Sequence, residues 1–176
     1  AGSMVTRHLL QLGHTRIAYF VNVTDHYSDA ERYAGYENAM REAGLRPWRI
    51  VEPDPDFSSW LEQRADWLKS ATRPTAIVAY DTGFLLLLLQ AACHLGLRVP
   101  EDLSLATFRD RKDEVPGLPL CGAVLPEKEM GQMAVRALQN KLCDDSATPM
   151  SPQRMQCGFE AGRSAAHPPK VEDDKH

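Results

Sequence analysis

Thr75-Ala76-Ile77-Val78-Ala79-Tyr80 is the stretch that decides the fold of this chain. An unbroken apolar run of this length, rich in strand-forming residues, is typical of a strand buried on both faces of a parallel sheet. Asp81 or Thr82 follows as a candidate cap for a helix that runs to about Leu95. A second apolar run at 103–108 comes after that helix. The order of strand, helix and strand predicts a parallel crossover unit.

The same alternation precedes the central stretch. Residues 16–21 form another almost wholly apolar run, and a polar loop separates it from an amphipathic helix predicted over 29–43. A short strand is expected at 49–52, and a further helix is expected to begin near residue 58 or 59. Strands and helices that alternate at intervals of about 25 to 30 residues predict an α/β fold with a doubly wound parallel sheet.

The pattern loosens after residue 108. A charged loop occupies 109–114, and a strand is expected at 121–125. An amphipathic helix is predicted over 127–142, with Met130, Ala134 and Leu138 at helical spacing. A last strand is expected within 155–160. The tail from residue 167 is rich in proline and charge, and it has too little apolar surface to order itself.

Composition excludes several classes of protein. Hydrophobic residues make up 43% of the 176 residues, which excludes disorder along the whole length. The net charge of −4 argues against a chain that binds nucleic acid by itself. Four cysteines stand far apart with no CxxC pair, which favours reduced thiols in a cytoplasmic protein. The apolar stretch that begins at Phe84 stops at Gln90, far short of the roughly 20 residues that cross a bilayer.

The familiar enzyme motifs are missing from the sequence. No GxxxxGK[ST] or GxGxxG loop follows a strand, and no GxSxG motif supplies a hydrolase nucleophile. The six histidines show neither HxxxH nor HExxH spacing. We therefore predict a protein that is not an enzyme and has no cofactor and no metal site. An α/β enzyme with an unrecognised site remains a lesser alternative.

Polar and aromatic residues follow each predicted strand. They lie at 22–28, at 54–57, at Tyr80-Asp81 and at Arg109-Asp110. Each of them taken alone is more simply a helix cap or a surface residue. Together they occupy the carboxyl edge of the sheet, where open α/β sheets bind ligands, and this favours a small-molecule pocket.

Several segments of the sequence together carry a family resemblance. The segments are Leu9-Leu10-Gln11-Leu12-Gly13-His14-Thr15-Arg16-Ile17-Ala18, Arg32-Tyr33-Ala34-Gly35-Tyr36, Pro74-Thr75-Ala76-Ile77-Val78-Ala79, Leu95-Gly96-Leu97-Arg98-Val99-Pro100-Glu101-Asp102-Leu103-Ser104, Pro119-Leu120 through Pro126, and Glu129-Met130-Gly131 with Ala134-Val135. They resemble the effector-binding domain of LacI/GalR-type transcription regulators, and they occur in the order and at the separations of that family. The resemblance runs from about residue 5 to 164.

The resemblance implies a periplasmic-binding-protein-like fold of two lobes, with most of this chain in the second lobe. Residues 16–110 would form that lobe, 111–126 the crossover, and 146–166 the return. The helices at 5–15 and 127–145 would be parts of the first lobe, whose missing sheet would leave their apolar stripes exposed. Residues 1–4 resemble a remnant of an expression tag, and 167–176 are expected to be a disordered tail.

The resemblance also implies site residues. Arg32 matches the family's ligand-binding arginine, and Ser28 matches a hydroxyl residue that faces the effector. Phe57 falls where an aromatic ring stacks on the ligand. Trp60 could take that stacking role instead, or it could be a core residue. The sequence departs from the family at two places. Tyr80-Asp81 stands where Asn-Asp is usual, and Arg109 replaces an acidic residue.

Two functions follow from the resemblance. The first is the effector-binding region of a DNA-binding regulator, with DNA held by a separate, preceding helix-turn-helix domain, and with a homodimer expected. The alternative is a periplasmic solute-binding protein of a transporter. The effector is expected to be a sugar or a sugar acid. The acid is favoured if Arg32 and Arg109 share one cleft, because two guanidinium groups need an anion between them. The other interpretation is that Arg109 pairs with Asp81, Asp110 or Asp113 as a structural ion pair.

Overall fold

The computed structural model describes residues 1–21, 26–52, 60, 65–111, 115–143 and 154–169. Four α-helices lie in these ranges: α1 (Gly2–Gln11), α2 (Tyr27–Glu42), α3 (Thr82–His94) and α4 (Glu127–Cys143). A short 3-10 helix spans Ala65–Leu68. The strands are β1 (Ile17–Val21), β2 (Trp48–Val51), β3 (Ala76–Ala79), β4 (Ser104–Arg109), β5 (Cys121–Val124) and β6 (Gly158–Glu160).

The strands form one sheet in the order β2-β1-β3-β4-β5-β6. The first five strands are parallel, and β6 pairs antiparallel with β5 at the edge. Every residue of β1, β3, β4 and β5 is buried. Strands covered on both faces have no solvent side, and this is why their sequences read as continuous apolar runs instead of alternating.

Two core clusters fill the two faces of the sheet. Side chains of α1 and α2 cover one face, where they pack with Tyr19, Val78 and Phe108. Side chains of α3 cover the other face, where they pack with Phe20 and Leu105. Helices on both faces of a mostly parallel sheet confirm the predicted doubly wound α/β fold. No helix among the described residues is long and apolar enough to span a membrane.

Helix α1 differs from the prediction in two ways. It begins at Gly2, so the segment 1–4 is part of the fold, and a Cβ on Gly2 would lie 2.0 Å from the carbonyl oxygen of Arg32. Val5 and Leu9 have no exposed surface. The expectation of an exposed apolar stripe on this helix is wrong, because α1 packs on α2 and on the sheet described here.

Helix α4 has the exposed apolar stripe that the sequence predicts. Met130, Val135 and Leu138 are each more than half exposed, and Leu142 is 77% exposed. The N-terminus of the helix follows β5 directly, after Pro126. The helix therefore leaves the edge of the sheet with most of its apolar surface uncovered by the described residues.

The segment after β6 returns along the sheet to the end of α1. The buried His14 places Nδ1 2.8 Å from the Thr75 hydroxyl and Nε2 2.8 Å from the carbonyl oxygen of Ala166. His167 contacts the carbonyl oxygen of Leu12 through Nδ1 at 2.7 Å. The tail predicted from residue 167 therefore begins as a docked segment, and 170–176 lie outside the described residues.

Candidate functional site

The guanidinium of Arg32 is held between two aromatic rings at the carboxyl edge of the sheet. Its central carbon lies 4.6 Å from the ring centroid of Tyr80, just after β3, and 4.9 Å from that of Phe108 in β4. Nη1 of Arg32 donates a hydrogen bond of 2.8 Å to the carbonyl oxygen of Tyr80. A cation between two π faces with one donor engaged has little rotational freedom. The side chain is therefore preorganised at the edge of neighbouring strands.

Ser28 lies one helical turn before Arg32 on α2. Its hydroxyl is 2.8 Å from the phenolic oxygen of Tyr80. Residues four apart share a helix face, so the two side chains that the family resemblance implies lie side by side. Tyr80 contacts both of them, and the residue that departs from the family pattern therefore organises this part of the site.

A buried polar cluster fixes the position of α2. Asp29 is 3% exposed, accepts a hydrogen bond of 3.0 Å from the hydroxyl of Tyr19 in β1, and pairs with Arg49 in β2 at 2.5 Å. Arg49 also lies over the ring of Tyr33, 4.5 Å from its centroid. Burial and the neighbouring carboxylate raise the pKa of Tyr19 well above its ordinary value. These bonds join the start of α2 to the sheet and so fix the position of Ser28 and Arg32 relative to the edge of the sheet.

A second anchor lies further along α2. The hydroxyl of Tyr36 donates to the carbonyl oxygen of Ile17 at 2.8 Å and accepts a hydrogen bond from the backbone N–H of Trp48 at 2.9 Å. Burial raises the pKa of Tyr36 to about 12. A neutral hydroxyl that both donates and accepts ties α2 to β1 and β2.

A cavity of about 520 Å³ opens beside Ser28 and Arg32. Its volume falls in the range of small-molecule pockets. Glu31 and Arg154 contribute charge at its rim and pair at 3.4 Å. The remaining wall comes from α2, from the end of β5, from α4 and from the segment before β6. That wall consists of Ala1, Tyr27, Leu125, Pro126, Met130, Met133, Met155 and Cys157. One polar side and one apolar side suit a ligand with both oxygen atoms and a carbon face.

Asp81 has a structural role in the described geometry. Its Oδ1 accepts a hydrogen bond of 2.9 Å from the backbone N–H of Phe84, so Asp81 is the N-cap of α3. This capping role was predicted from the sequence, beside a ligand-binding role. Asp81 does not line the 520 Å³ cavity.

Arg109 lies apart from Arg32. Successive side chains of a strand point to opposite faces, and Phe108 packs on the α2 face, so Arg109 lies on the α3 face. It is 6% exposed, pairs with Glu160 in β6, and donates to the carbonyl oxygen of Asp110 at 3.3 Å. The premise that the two arginines share one cleft is therefore wrong. Arg109 does form an ion pair, and Glu160 is a partner that was not predicted from the sequence.

Phe57 and Trp60 are the two aromatic residues that were predicted as candidates for stacking on a ligand. Phe57 lies outside the described residues. Trp60 is 1% exposed and packs edge-on against Phe20, with ring centroids 5.7 Å apart. Trp60 is a core residue, and the alternative in which it stacks on a ligand is wrong.

Sequence reasoning missed the part that Phe108 plays in holding Arg32. A signal was present, since Phe108 is the last aromatic residue before the carboxyl end of β4, and β4 lies beside β3, the strand that Tyr80 follows. It also missed Glu31 at the cavity, and it included Tyr27 only within the range 22–28. The i, i+4 spacing that joins Ser28 to Arg32 joins those two as well, and the Tyr27 hydroxyl donates to Glu31 at 3.2 Å.

Comparison with protein families gives a match over almost the whole chain. Residues 6–165 match the periplasmic binding protein-like domain. The chain is 34% identical over 133 residues to the HTH-type transcriptional regulator DegA of Bacillus subtilis, covering 74% of this chain and 39% of that protein. It is 30% identical over 144 residues to the ribose operon repressor of Haemophilus influenzae, covering 80% of this chain and 43% of the repressor. The chain thus spans less than half the length of these relatives.

A solved structure gives the same relationship. A LacI family transcriptional regulator from Mycobacterium smegmatis superposes with a TM-score of 0.79 and 29% sequence identity. The match covers 96% of this chain and 63% of the regulator. The sheet and the helices on its two faces therefore have the arrangement found in that group of proteins.

Proposed function

The chain belongs to the periplasmic binding protein-like domain family, in the group of the LacI-type transcriptional regulators, and on this premise we propose that it is the effector-binding region of such a regulator. The observation that carries the proposal is the preorganised Arg32, with Ser28 beside it, on the wall of a cavity of about 520 Å³. A fixed cation and a hydroxyl on one helix face suit the recognition of a small, oxygen-rich molecule.

The effector class that we propose is a sugar or a sugar acid. The planar guanidinium of Arg32 offers paired donors that match two neighbouring hydroxyl groups or one carboxylate. Because Arg109 pairs with Glu160 and lies apart from Arg32, a second arginine does not favour the acid over the neutral sugar. Arg32 is then the residue on which recognition of either class depends.

The proposed mechanism is differential binding, without a chemical step on the ligand. An effector that binds one arrangement of two lobes more tightly than the other shifts their equilibrium, and a DNA-binding domain attached to them senses the shift. DNA contact is assigned to a separate helix-turn-helix domain, which agrees with the net charge of −4 on this chain. A regulator of this kind acts in the cytoplasm as a homodimer.

The alternative is a solute-binding protein that serves a transporter. The matched relatives are transcription regulators by name, and this favours the first function. Determining the residues encoded ahead of residue 1 in the source genome tests the choice. A helix-turn-helix segment there supports the regulator, whereas a secretory signal would refute it.

A further inference from the structure

The guanidinium of Arg32 has no negatively charged partner in the described part of the chain. No described ion pair includes it, and its only hydrogen bond to a described residue runs from Nη1 to the carbonyl oxygen of Tyr80. Asp29, the buried carboxylate of the same helix, is already bound by Arg49 and by the hydroxyl of Tyr19. A partly buried cation beside a cavity therefore lacks the anion that would balance it.

The cavity wall carries an excess of positive charge. Glu31 and Arg154 pair with each other at its rim, 3.4 Å apart. Among the described side chains of the wall, this leaves Arg32 as one unbalanced positive charge. A ligand with one negative charge balances it, whereas a neutral ligand would desolvate the guanidinium without pairing it.

Two aromatic rings determine the direction from which a ligand reaches Arg32. The rings of Tyr80 and Phe108 lie 4.6 Å and 4.9 Å from the central carbon of the guanidinium and cover its faces. Nη1 is held by the Tyr80 carbonyl, which leaves Nε and Nη2 without a hydrogen-bond partner among the described residues. These two atoms form a planar edge with parallel N–H bonds that match the two oxygens of a carboxylate. A ligand ring that stacks on the guanidinium has no free face to occupy.

A pair of hydroxyl groups lies beside the guanidinium. The oxygens of Ser28 and Tyr80 are 2.8 Å apart, so one of their two protons is shared between them. The pair keeps the other proton to donate and lone pairs to accept. Because Ser28 lies four residues before Arg32, both side chains lie on one face of α2. A ligand with a hydroxyl group near its carboxylate can bind to both.

We propose that the effector is a hydroxy acid whose carboxylate lies in the plane of the Arg32 guanidinium, on the Nε–Nη2 edge, with a hydroxyl group on Ser28 and Tyr80. Tyr80 stands where the family usually has Asn, and it determines specificity because its ring covers one face of the guanidinium. The inference rests on the proposed function and narrows its effector class to sugar acids.

Calorimetric titration of the 176-residue chain tests the preference for a carboxylate. The probes are D-gluconate, D-galactonate and D-glucuronate, each compared with its own carboxamide, which keeps the shape and removes the charge. At least one acid is expected to bind about ten-fold more tightly than its amide, because hydrogen bonds to charged groups are stronger. D-glucose 6-phosphate, whose charge is close to two, is expected to bind more weakly than that acid.

Variants separate the geometry of the site from its charge. Arg32→Lys keeps the charge and loses the planar edge, and it is expected to weaken binding of the acid about ten-fold. Tyr80→Phe keeps the ring and is expected to retain the preference for the acid, whereas Tyr80→Asn removes the ring and is expected to reduce it. Arg41→Gln, which removes an exposed charge elsewhere on α2, is the matched control and is expected to bind as the wild type does. Circular dichroism verifies that each variant is folded.

The side-chain 15Nε–1Hε signal of Arg32 in nuclear magnetic resonance spectra reports on the edge itself. The signal is assigned by its loss in Arg32→Lys. We expect it to shift when the acid binds to the wild type and to shift less with the amide.

The results distinguish this inference from the proposed function. An amide or a phosphate ester that binds as tightly as the acid would overturn the inference and leave effector binding in place. A preference for the acid that is unchanged in both Arg32→Lys and Tyr80→Asn would also overturn it, because the charge would then be recognised elsewhere. If no probe binds, the inference and the proposed effector class both fail.

Discussion

Replacing Glu160 with glutamine tests the assignment of Arg109 as a structural residue. The guanidinium of Arg109 is 6% exposed, and its side chain joins the end of β4 to β6 through the carboxylate of Glu160. Glutamine keeps the size of the side chain and removes its charge. The buried guanidinium is then left facing a neutral amide.

The expected cost follows from the burial of the two partners. Removing one partner of a fully buried ion pair costs about 3–5 kcal/mol. The side chain of Glu160 is 52% exposed, so water screens part of the interaction, and we expect a loss of about 1–2 kcal/mol. In a protein of this size that loss lowers the melting temperature by roughly 2–8 °C.

Urea unfolding followed by circular dichroism measures the loss. Glu31→Gln is the matched control, because it removes a carboxylate from the exposed pair with Arg154 and is expected to cost at most about 0.5 kcal/mol. If Glu160→Gln is as stable as the wild type, the ion pair does not hold the edge of the sheet. Arg109 would then have to be considered again as a ligand-binding residue.

Further predictions concern the core, the cap of α3 and a buried histidine. Leu9→Ala empties a fully buried site between α1 and the sheet and is expected to destabilise the fold by about 2–5 kcal/mol in urea unfolding; a loss below about 1 kcal/mol would refute the packing of α1 on this lobe. Asp81→Ala removes the N-cap of α3 and is expected to cost about 1 kcal/mol, with Asp81→Asn close to the wild type; equal losses in both variants would point to a role of the charge instead. Burial lowers the pKa of His14 below its ordinary value of 6.5, so the unfolded chain takes up the proton first. The stabilisation from neutral His14 is complete above pH 6.5 and is lost as the pH falls from there toward the lowered pKa. The unfolding free energy of His14→Gln is expected to vary less with pH over that range than that of the wild type, and an unchanged pH profile would contradict this.

Much of the fold was predictable because the signals are local. The apolar runs at 16–21, 75–80 and 103–108 each match a buried strand to within one residue at either end, since a strand covered on both faces needs no polar residue. The capping role of Asp81 was also predictable, because an N-cap side chain accepts a hydrogen bond from a backbone N–H only three positions further along the chain.

The side of the sheet that a helix covers was harder to predict. The apolar stripe of α1 indicates a helix but not its partner, and the resemblance to a two-lobe family led to the wrong expectation that the stripe of Leu9 is exposed. Its burial depends on α2, to which α1 comes close through Gly2 and Gly35; a Cβ on Gly35 would lie 2.7 Å from the backbone nitrogen of Ser3. Such a fit between distant backbones leaves no periodic pattern in the sequence.

The site was predictable in its residues but not in its contacts. Ser28 and Arg32 were identified from the resemblance, and their neighbour Tyr80 from its place after a strand. The contact of Tyr80 with Arg32 spans 48 residues of chain, and that of Arg109 with Glu160 spans 51. The strand order brings these pairs together, and no spacing in the sequence shows it.

Nuclear magnetic resonance of the 15N-labelled chain tests the central claim most directly. The amide spectrum would be recorded during titration with matched neutral sugars and sugar acids, using the wild type and Arg32→Lys. Lysine keeps the charge and loses the planar fork of donors, so the comparison isolates the guanidinium. For at least one sugar or sugar acid we predict shifts at Ser28, Arg32 and Tyr80 that are lost in the variant. Shifts that are absent throughout the panel, lie only near Arg109, or persist unchanged in Arg32→Lys would contradict the claim that this is an effector-binding site.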